Sequence, residues 1–193
     1  MPGEKYYILL NKPKGYTSTS FDPYAKKTVM ELVSDIGAPL HTVGRLDVDT
    51  QGLLILTTDG EFTNKLTHPS HEVGKTYQAA VRGVPDKQDL EQLSNGIKLE
   101  DGMTAPADVR LVSESDNGRS SVVEITIHEG RKRQIKRMFE VIGHRVEELV
   151  RTKIDGIEIG DMPTGTWRHL ADEEVQRLLK SAKKESSLSL KKS

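Results

Sequence analysis

The stretch that most constrains the fold is "APADVRLV" followed by Asp116-Asn117-Gly118 and then "SVVEITIH". Two β-rich runs flank an Asn-Gly turn. Asparagine and glycine tolerate the left-handed backbone that a tight hairpin needs, so these runs predict an antiparallel pair. "KYYILLNK" at residues 5–12 predicts another strand, ended by Pro13, and "YQAAVRG" predicts a third. The run Leu53-Leu54-Ile55-Leu56 reads as a buried strand, with shorter strands expected around residues 146–150 and 157–159. Helices interrupt this series. Thr28 and Glu31 form a capping-box pattern before Val29, Leu32, Val33 and Ile36, and Gly37 supplies the stop. A short helix is expected around Leu90 and Leu93, another over residues 133–142 closed by Gly143, and a last one over 173–179. Strands and helices do not alternate strictly. The pattern therefore predicts an α+β fold with a largely antiparallel or mixed sheet.

Composition narrows the function classes. A chain of 193 residues can bury a sizeable core as one domain or two small subdomains. Charged residues make up 30% and nearly cancel, leaving a formal net charge of -1, so a nucleic-acid partner must be sought in local distribution. Cysteine is absent, which excludes disulfides and thiolate metal sites. No apolar run approaches the roughly 18 residues of a membrane span, and the chain reads as a soluble cytoplasmic protein. Residues 181–193, rich in lysine and serine, are expected to form a disordered basic tail.

Two stretches carry candidate chemistry. "HTVGRLDVDTQGLLILTTDGEF" places Asp47 and Asp49 in a polar turn before a buried strand. An acid in a turn serves most often as a hydrogen-bonding turn residue, and Asp49 fits that role. Asp47 is open to a second role, as a carboxylate kept ionised by a nearby cation. The other stretch, "HEGRKRQIKRMFEVIGH", has five basic residues among the seven from 131 to 137. On a helix, Ile135, Met138, Phe139 and Ile142 share one face and Arg133, Lys136 and Arg137 point away from it. Such cations beside the N–H groups of a first helical turn suit a phosphate or carboxylate, although a solvated basic face has the same pattern. "LDVDTQG" has the Asp-x-Asp-x-Thr spacing of a dehalogenase-type phosphotransferase but lacks the preceding apolar strand and a later acidic pair. "PSHEVGKT" fails as a phosphate loop because Pro69 replaces the first glycine, and His68 and His71 lack zinc-site spacing.

Taken together, "LLNKPKGYTST", "VGRLDVDTQGLLILTTDGEF", "GKTY", "EGRKRQIKRMF" and "VEELVRTKIDGIEIGDMPTGTWRHL" resemble the RsuA/RluB/RluE/RluF branch of RNA pseudouridine synthases. The resemblance spans about residues 7–179 and implies a pseudouridine synthase fold over residues 1–180, α+β, with a central mixed, mainly antiparallel sheet, flanking helices and two subdomains around a cleft. It further implies that Asp47 is the catalytic aspartate, that Tyr77 stacks on the target base and helps relay a proton, and that Lys136 pairs with Asp47. By the same resemblance Leu149 packs against the base or Tyr77, and Arg45 holds the flipped nucleotide or its phosphate. Arg131, Lys132, Arg133 and Arg137 would meet flanking phosphates.

The implied reaction breaks the C1′–N1 bond of uridine, rotates the base and rejoins it through C5. No electrons or groups enter from another substrate, so no cofactor and no metal are expected. The aspartate acts either as nucleophile or as the base that opens a glycal route. The expected partner is ribosomal RNA, 23S or 16S, and the expected state is a monomer. Many relatives carry a small N-terminal RNA-binding domain, and this chain starts at the first catalytic strand. A non-catalytic RNA-binding module is the rival reading, opposed by the complete set of Asp47, Tyr77 and Lys136.

Overall fold

The computed structural model describes residues 4–19, 24, 27–70 and 73–192, with side chains described as far as 182. The chain divides into two compact units. One combines residues 1–73 with 153–193, and the other is residues 74–152.

In the first unit, β1 (Tyr7–Lys12) pairs antiparallel with β3 (Gln51–Thr57) on one side and β11 (Trp167–His169) on the other. The short β2 (His41–Val43) also runs antiparallel to β3. Five consecutive residues of β1, from Ile8 to Lys12, are buried, as are six of β3, from Gly52 to Thr57. Burial on both faces explains why these strands read as unbroken apolar runs without alternation. One face packs Leu9, Leu53 and Ile55 against Phe62 and Leu66 of α1 (Gly60–Thr67) and Val175 and Leu178 of α4 (Asp172–Lys192). Asp59 caps α1 by accepting from the N–H groups of Glu61 and Phe62, and it also accepts from the Tyr7 hydroxyl at 2.6 Å. Ile157 and Glu158, which form β10, pair antiparallel with Ile154 and Lys153.

Two expectations for this unit need correction. Residues Val29–Ile36 wind as a 3-10 helix, and the Thr28 side chain makes no capping bond. Thr28 is bridged to Thr17, and the Val29 N–H donates to the Thr17 carbonyl, so the backbone enters this helix already engaged elsewhere. Gly37, at φ 69°, closes it as expected. The last helix runs to Lys192, well past residue 179 and through the segment expected to be a disordered tail. That segment contains no glycine or proline to stop a helix, and lysine, leucine and glutamate propagate one readily.

In the second unit, the strand order is β9 (Val146–Ile154), β4 (Lys75–Arg82), β8 (Ser120–Ile127), β7 (Asp108–Glu114). β8 is antiparallel to both neighbours, with Tyr77 opposite Ile125. β8 shows the alternation of a strand with one covered face, burying Ser121, Val123, Ile125 and Ile127. The turn between β7 and β8 is the expected hairpin, with Gly118 at φ 68° and its N–H donating to the Ser115 carbonyl. α2 (Lys87–Asn95) carries a complete capping box between Asp86 and Asp89. A small hairpin, β5 (Lys98–Leu99) with β6 (Gly102–Met103), precedes β7. α3 (Gln134–Val141) follows β8.

Candidate active site

The Asp47 turn belongs to the first unit and is held in place by the segment that follows β1. Ser18, 2% exposed, accepts from the Leu46 N–H at 2.9 Å and donates to the Leu46 carbonyl at 2.7 Å. The Val48 carbonyl accepts from the Gly15 N–H at 2.7 Å, and the Thr50 N–H closes the turn on the Asp47 carbonyl at 3.0 Å. Beneath the turn lies Lys12, fully buried at 0% exposure. Its ammonium donates to the carbonyls of Pro13 at 3.0 Å, Tyr16 at 2.9 Å and, more weakly, Val48 at 3.4 Å. Leu46 and Thr50 are buried on either side of the half-buried Asp47, whereas Val48 and Arg45 are exposed. The carboxylate thus sits on a turn whose backbone is pinned at three consecutive residues, 46 to 48. Such anchoring suits a group that must meet a reacting atom without rearrangement.

Tyr77, Lys136, Leu149 and the arginines belong to the second unit. Tyr77 is 8% exposed on β4, and the Nη1 of Arg151 on β9 donates to its hydroxyl at 3.3 Å. The guanidinium carbon lies 5.9 Å from the Tyr77 ring centroid. Leu149 and Arg151 are both buried and two residues apart, so they share one face of β9.

The basic stretch differs from its sequence reading in three respects. The helix starts at Gln134, and Arg133 adopts a left-handed conformation at φ 52°. Lys136 is buried, with 9% exposure, instead of lining a solvated face. At about 100° per residue it lies only about 60° around the helix from Phe139, close enough to the apolar stripe to be covered with it. Arg131 and Arg137 are both engaged by the small hairpin. Arg137 meets Asp101 with two bonds, at 2.9 and 3.3 Å. Arg131 donates to the carbonyls of Gly102 and Met103 and to Glu129, and Asp101 stands 3.6 Å away. The Arg137 guanidinium, with Arg131 behind it, holds the Asp101 carboxyl below the usual range. Glu129 completes the clamp by accepting from the Ala105 N–H and from the buried Gln134 side chain. Lys132 and Arg133 are exposed.

Residues 6–141 match the RNA pseudouridylate synthase family. The chain belongs to that family. Its reaction is the isomerisation of uridine to pseudouridine in RNA. Ribosomal large subunit pseudouridine synthase B of Bacillus subtilis (strain 168) is 46% identical over 175 residues, covering 91% of this chain and 72% of that protein. Ribosomal small subunit pseudouridine synthase A of Escherichia coli (strain K12) is 36% identical over 172 residues, covering 88% of this chain and 72% of that one. A crystal structure of a pseudouridylate synthase superposes with a TM-score of 0.78 at 34% identity, covering 91% of this chain and 74% of the other. The archaeal box H/ACA sRNP Nop10-Cbf5 complex, at 18% identity and a TM-score of 0.63, shares the fold. The expected pseudouridine synthase fold, α+β with a mixed sheet, is therefore present in this synthase.

Sequence reasoning passed over Lys12, Ser18 and Arg151. All three lie within quoted motifs, yet nothing in their spacing distinguishes a buried lysine or arginine from the exposed majority. Among the described residues, no three histidine, aspartate or glutamate side chains gather closely enough to hold a metal ion. Among them, too, no helix is long and apolar enough to cross a membrane.

Proposed function

We propose that this synthase modifies a uridine of ribosomal RNA, with Asp47 as the catalytic carboxylate, acting as a monomer without metal or cofactor. The observation that carries the assignment is the pinned turn: the chain spends a buried serine and a glycine N–H on holding residues 46–48, and a fully buried lysine on fixing the segment 13–16 beside them. A turn acid with no task beyond solvation needs no such support. The higher identity to the relative named for the large subunit favours a large-subunit uridine.

In this reading the target nucleotide leaves its stack, at a cost of a few kcal/mol, and lies against the Tyr77 ring with Leu149 beside it. An ionised Asp47 either adds to the uracil ring as a nucleophile, in a Michael addition, or removes the proton that opens the glycal route. The C1′–N1 bond breaks, the base turns, C5 joins C1′, and the C5 proton leaves to solvent while N1 gains one. The family motif makes Lys136 the candidate cation of the reaction, and its burial sets it apart from the surface phosphate ligands. A buried ammonium requires compensation and is not a surface phosphate ligand. Arg45, Lys132 and Arg133 then remain as exposed phosphate contacts. Arg131 and Arg137 act first through the hairpin they hold.

The test is tritium release from ribosomal RNA labelled at uridine C5. Asp47→Asn should release none, and Asp49→Asn should retain most of the parental rate. Substantial release by Asp47→Asn would falsify the assignment. Mapping pseudouridine in both ribosomal RNAs of a deletion strain identifies the subunit, and a missing modification in the small-subunit RNA alone would overturn the large-subunit choice.

A further inference from the structure

The contact between Arg151 and Tyr77 goes beyond the assignment of the aspartate. Both side chains are buried, at 3% and 8% exposure, and they stand on neighbouring strands, β9 and β4. The Thr152 hydroxyl donates to the Thr76 carbonyl at 3.4 Å beside them. On the other flank of β4 the Thr76 and Thr126 hydroxyls meet at 2.8 Å, and Tyr77 lies opposite the fully buried Ile125. Tyr77 is therefore walled on the β8 side and touched by a guanidinium on the β9 side.

An arginine keeps its charge even when buried, and removing that charge from water costs several kcal/mol unless it is used. A guanidinium has only donors to offer, so in this pair the phenol oxygen must accept. That leaves the hydroxyl hydrogen of Tyr77 directed away from Arg151 and available to another acceptor. The cation also lies close enough to the ring to interact with its π face. One residue thus fixes both the plane of the ring and the direction of its O–H bond.

We propose that Arg151 is the positioning residue for Tyr77, holding the ring as the platform for the flipped uridine and its hydroxyl in a single hydrogen-bonding direction. The inference rests on the role given to Tyr77 above. Arg151 acts here through Tyr77, so its loss bears on the chemical step more than on the capture of RNA.

The experiment is a double-mutant cycle in the full chain, read by single-turnover tritium release and by RNA affinity. Arg151→Met should lower the single-turnover rate by about ten- to a hundredfold, the range expected when a reacting or stacking group is misplaced by about 1 Å. Its RNA dissociation constant should stay within about twofold of the parent, and Arg151→Lys should recover part of the rate. In a Tyr77→Phe background, Arg151→Met should change the rate by less than about threefold, because the two residues act as a unit. A second readout applies whatever rate Tyr77→Phe retains. In protein carrying ¹³C-labelled tyrosine rings, Arg151→Met should shift the Tyr77 ring signals and speed the ring's flipping. Parental activity in Arg151→Met, equal losses in both backgrounds, or unchanged Tyr77 signals would each overturn the proposal. An inactive Asp47→Asn beside a fully active Arg151→Met would leave the aspartate reading standing and remove only this one.

Discussion

Lys12→Met tests the anchoring of the catalytic turn most directly. Methionine preserves most of the apolar stem at a position with 0% exposure, so little cavity is created. What disappears is the ammonium and its bonds to the carbonyls of Pro13, Tyr16 and Val48. A hydrogen bond to a charged group contributes about 1.5–3 kcal/mol, so the two shorter bonds together represent roughly 3–6 kcal/mol. The bond at 3.4 Å to Val48 adds little. Relief from burying the charge offsets part of this loss, leaving a destabilisation of about 2–4 kcal/mol. For a chain of this size that corresponds to a fall in Tm of roughly 5–15 °C, measurable by calorimetry. The Gly15 N–H still holds the Val48 carbonyl, so the turn should loosen without unfolding. Single-turnover tritium release at a temperature well below the new Tm should accordingly fall while RNA binding persists. Lys12→Arg should fail as well, because the larger head group has no room. If Lys12→Met melts within about 2 °C of the parent and turns over normally, the buried ammonium does not secure the turn.

Lys132→Ala and Arg133→Ala should each weaken RNA binding and flatten its salt dependence by up to about 0.7–0.9 log units per lost contact, whereas Asp101→Ala, by releasing Arg137, should steepen it. Binding isotherms at several salt concentrations check both directions, and an unchanged slope in Asp101→Ala would show that Arg137 stays away from phosphate even when unclamped. Lys136→Met should remove nearly all turnover while leaving RNA affinity close to parental, and parental turnover would send the search for a charge partner of Asp47 to Arg45. The Glu174 carboxyl is held below its usual range first by its hydrogen bonds to Arg168 and also by the Ala171 N–H. A depressed carboxylate contributes stability above its unfolded pKa and loses it as pH falls, so Glu174→Gln should lower Tm at neutral pH. The gap to the parent should close as pH drops below about 4. A gap that persists unchanged in acid would mean that packing, not charge, is responsible.

Much of the fold was legible because local chemistry and tertiary structure agree there. The Asn117-Gly118 turn dictates its hairpin whatever surrounds it, and Gly37 stops the helix before it through a left-handed backbone that other residues resist. Local signals failed where a distant partner had already claimed the backbone or the side chain. Thr28 had the sequence of a cap but is bridged to Thr17. Lys136 had the composition of a solvated face, yet it lies beside an apolar stripe that the core covers. Arg131 and Arg137 had the look of phosphate ligands, yet a hairpin about thirty residues earlier in the chain supplies their acceptors.

The sequence by itself determined most of the strands and helices, the α+β class and, through motifs in their family order, the candidate residues Asp47, Tyr77 and Lys136. Each depends on neighbours within a few positions or on the order of short motifs along the chain, and both survive in one dimension. Only the tertiary structure decided that Lys12 and Ser18 pin the Asp47 turn, that Arg151 meets Tyr77, and that two of the basic residues are clamps. Those roles depend on which backbone carbonyl or side chain lies within about 3 Å of a given donor, across separations of 28 to 74 residues. Burial turns a lysine from a surface charge into a structural donor, and burial is a property of the packed chain alone.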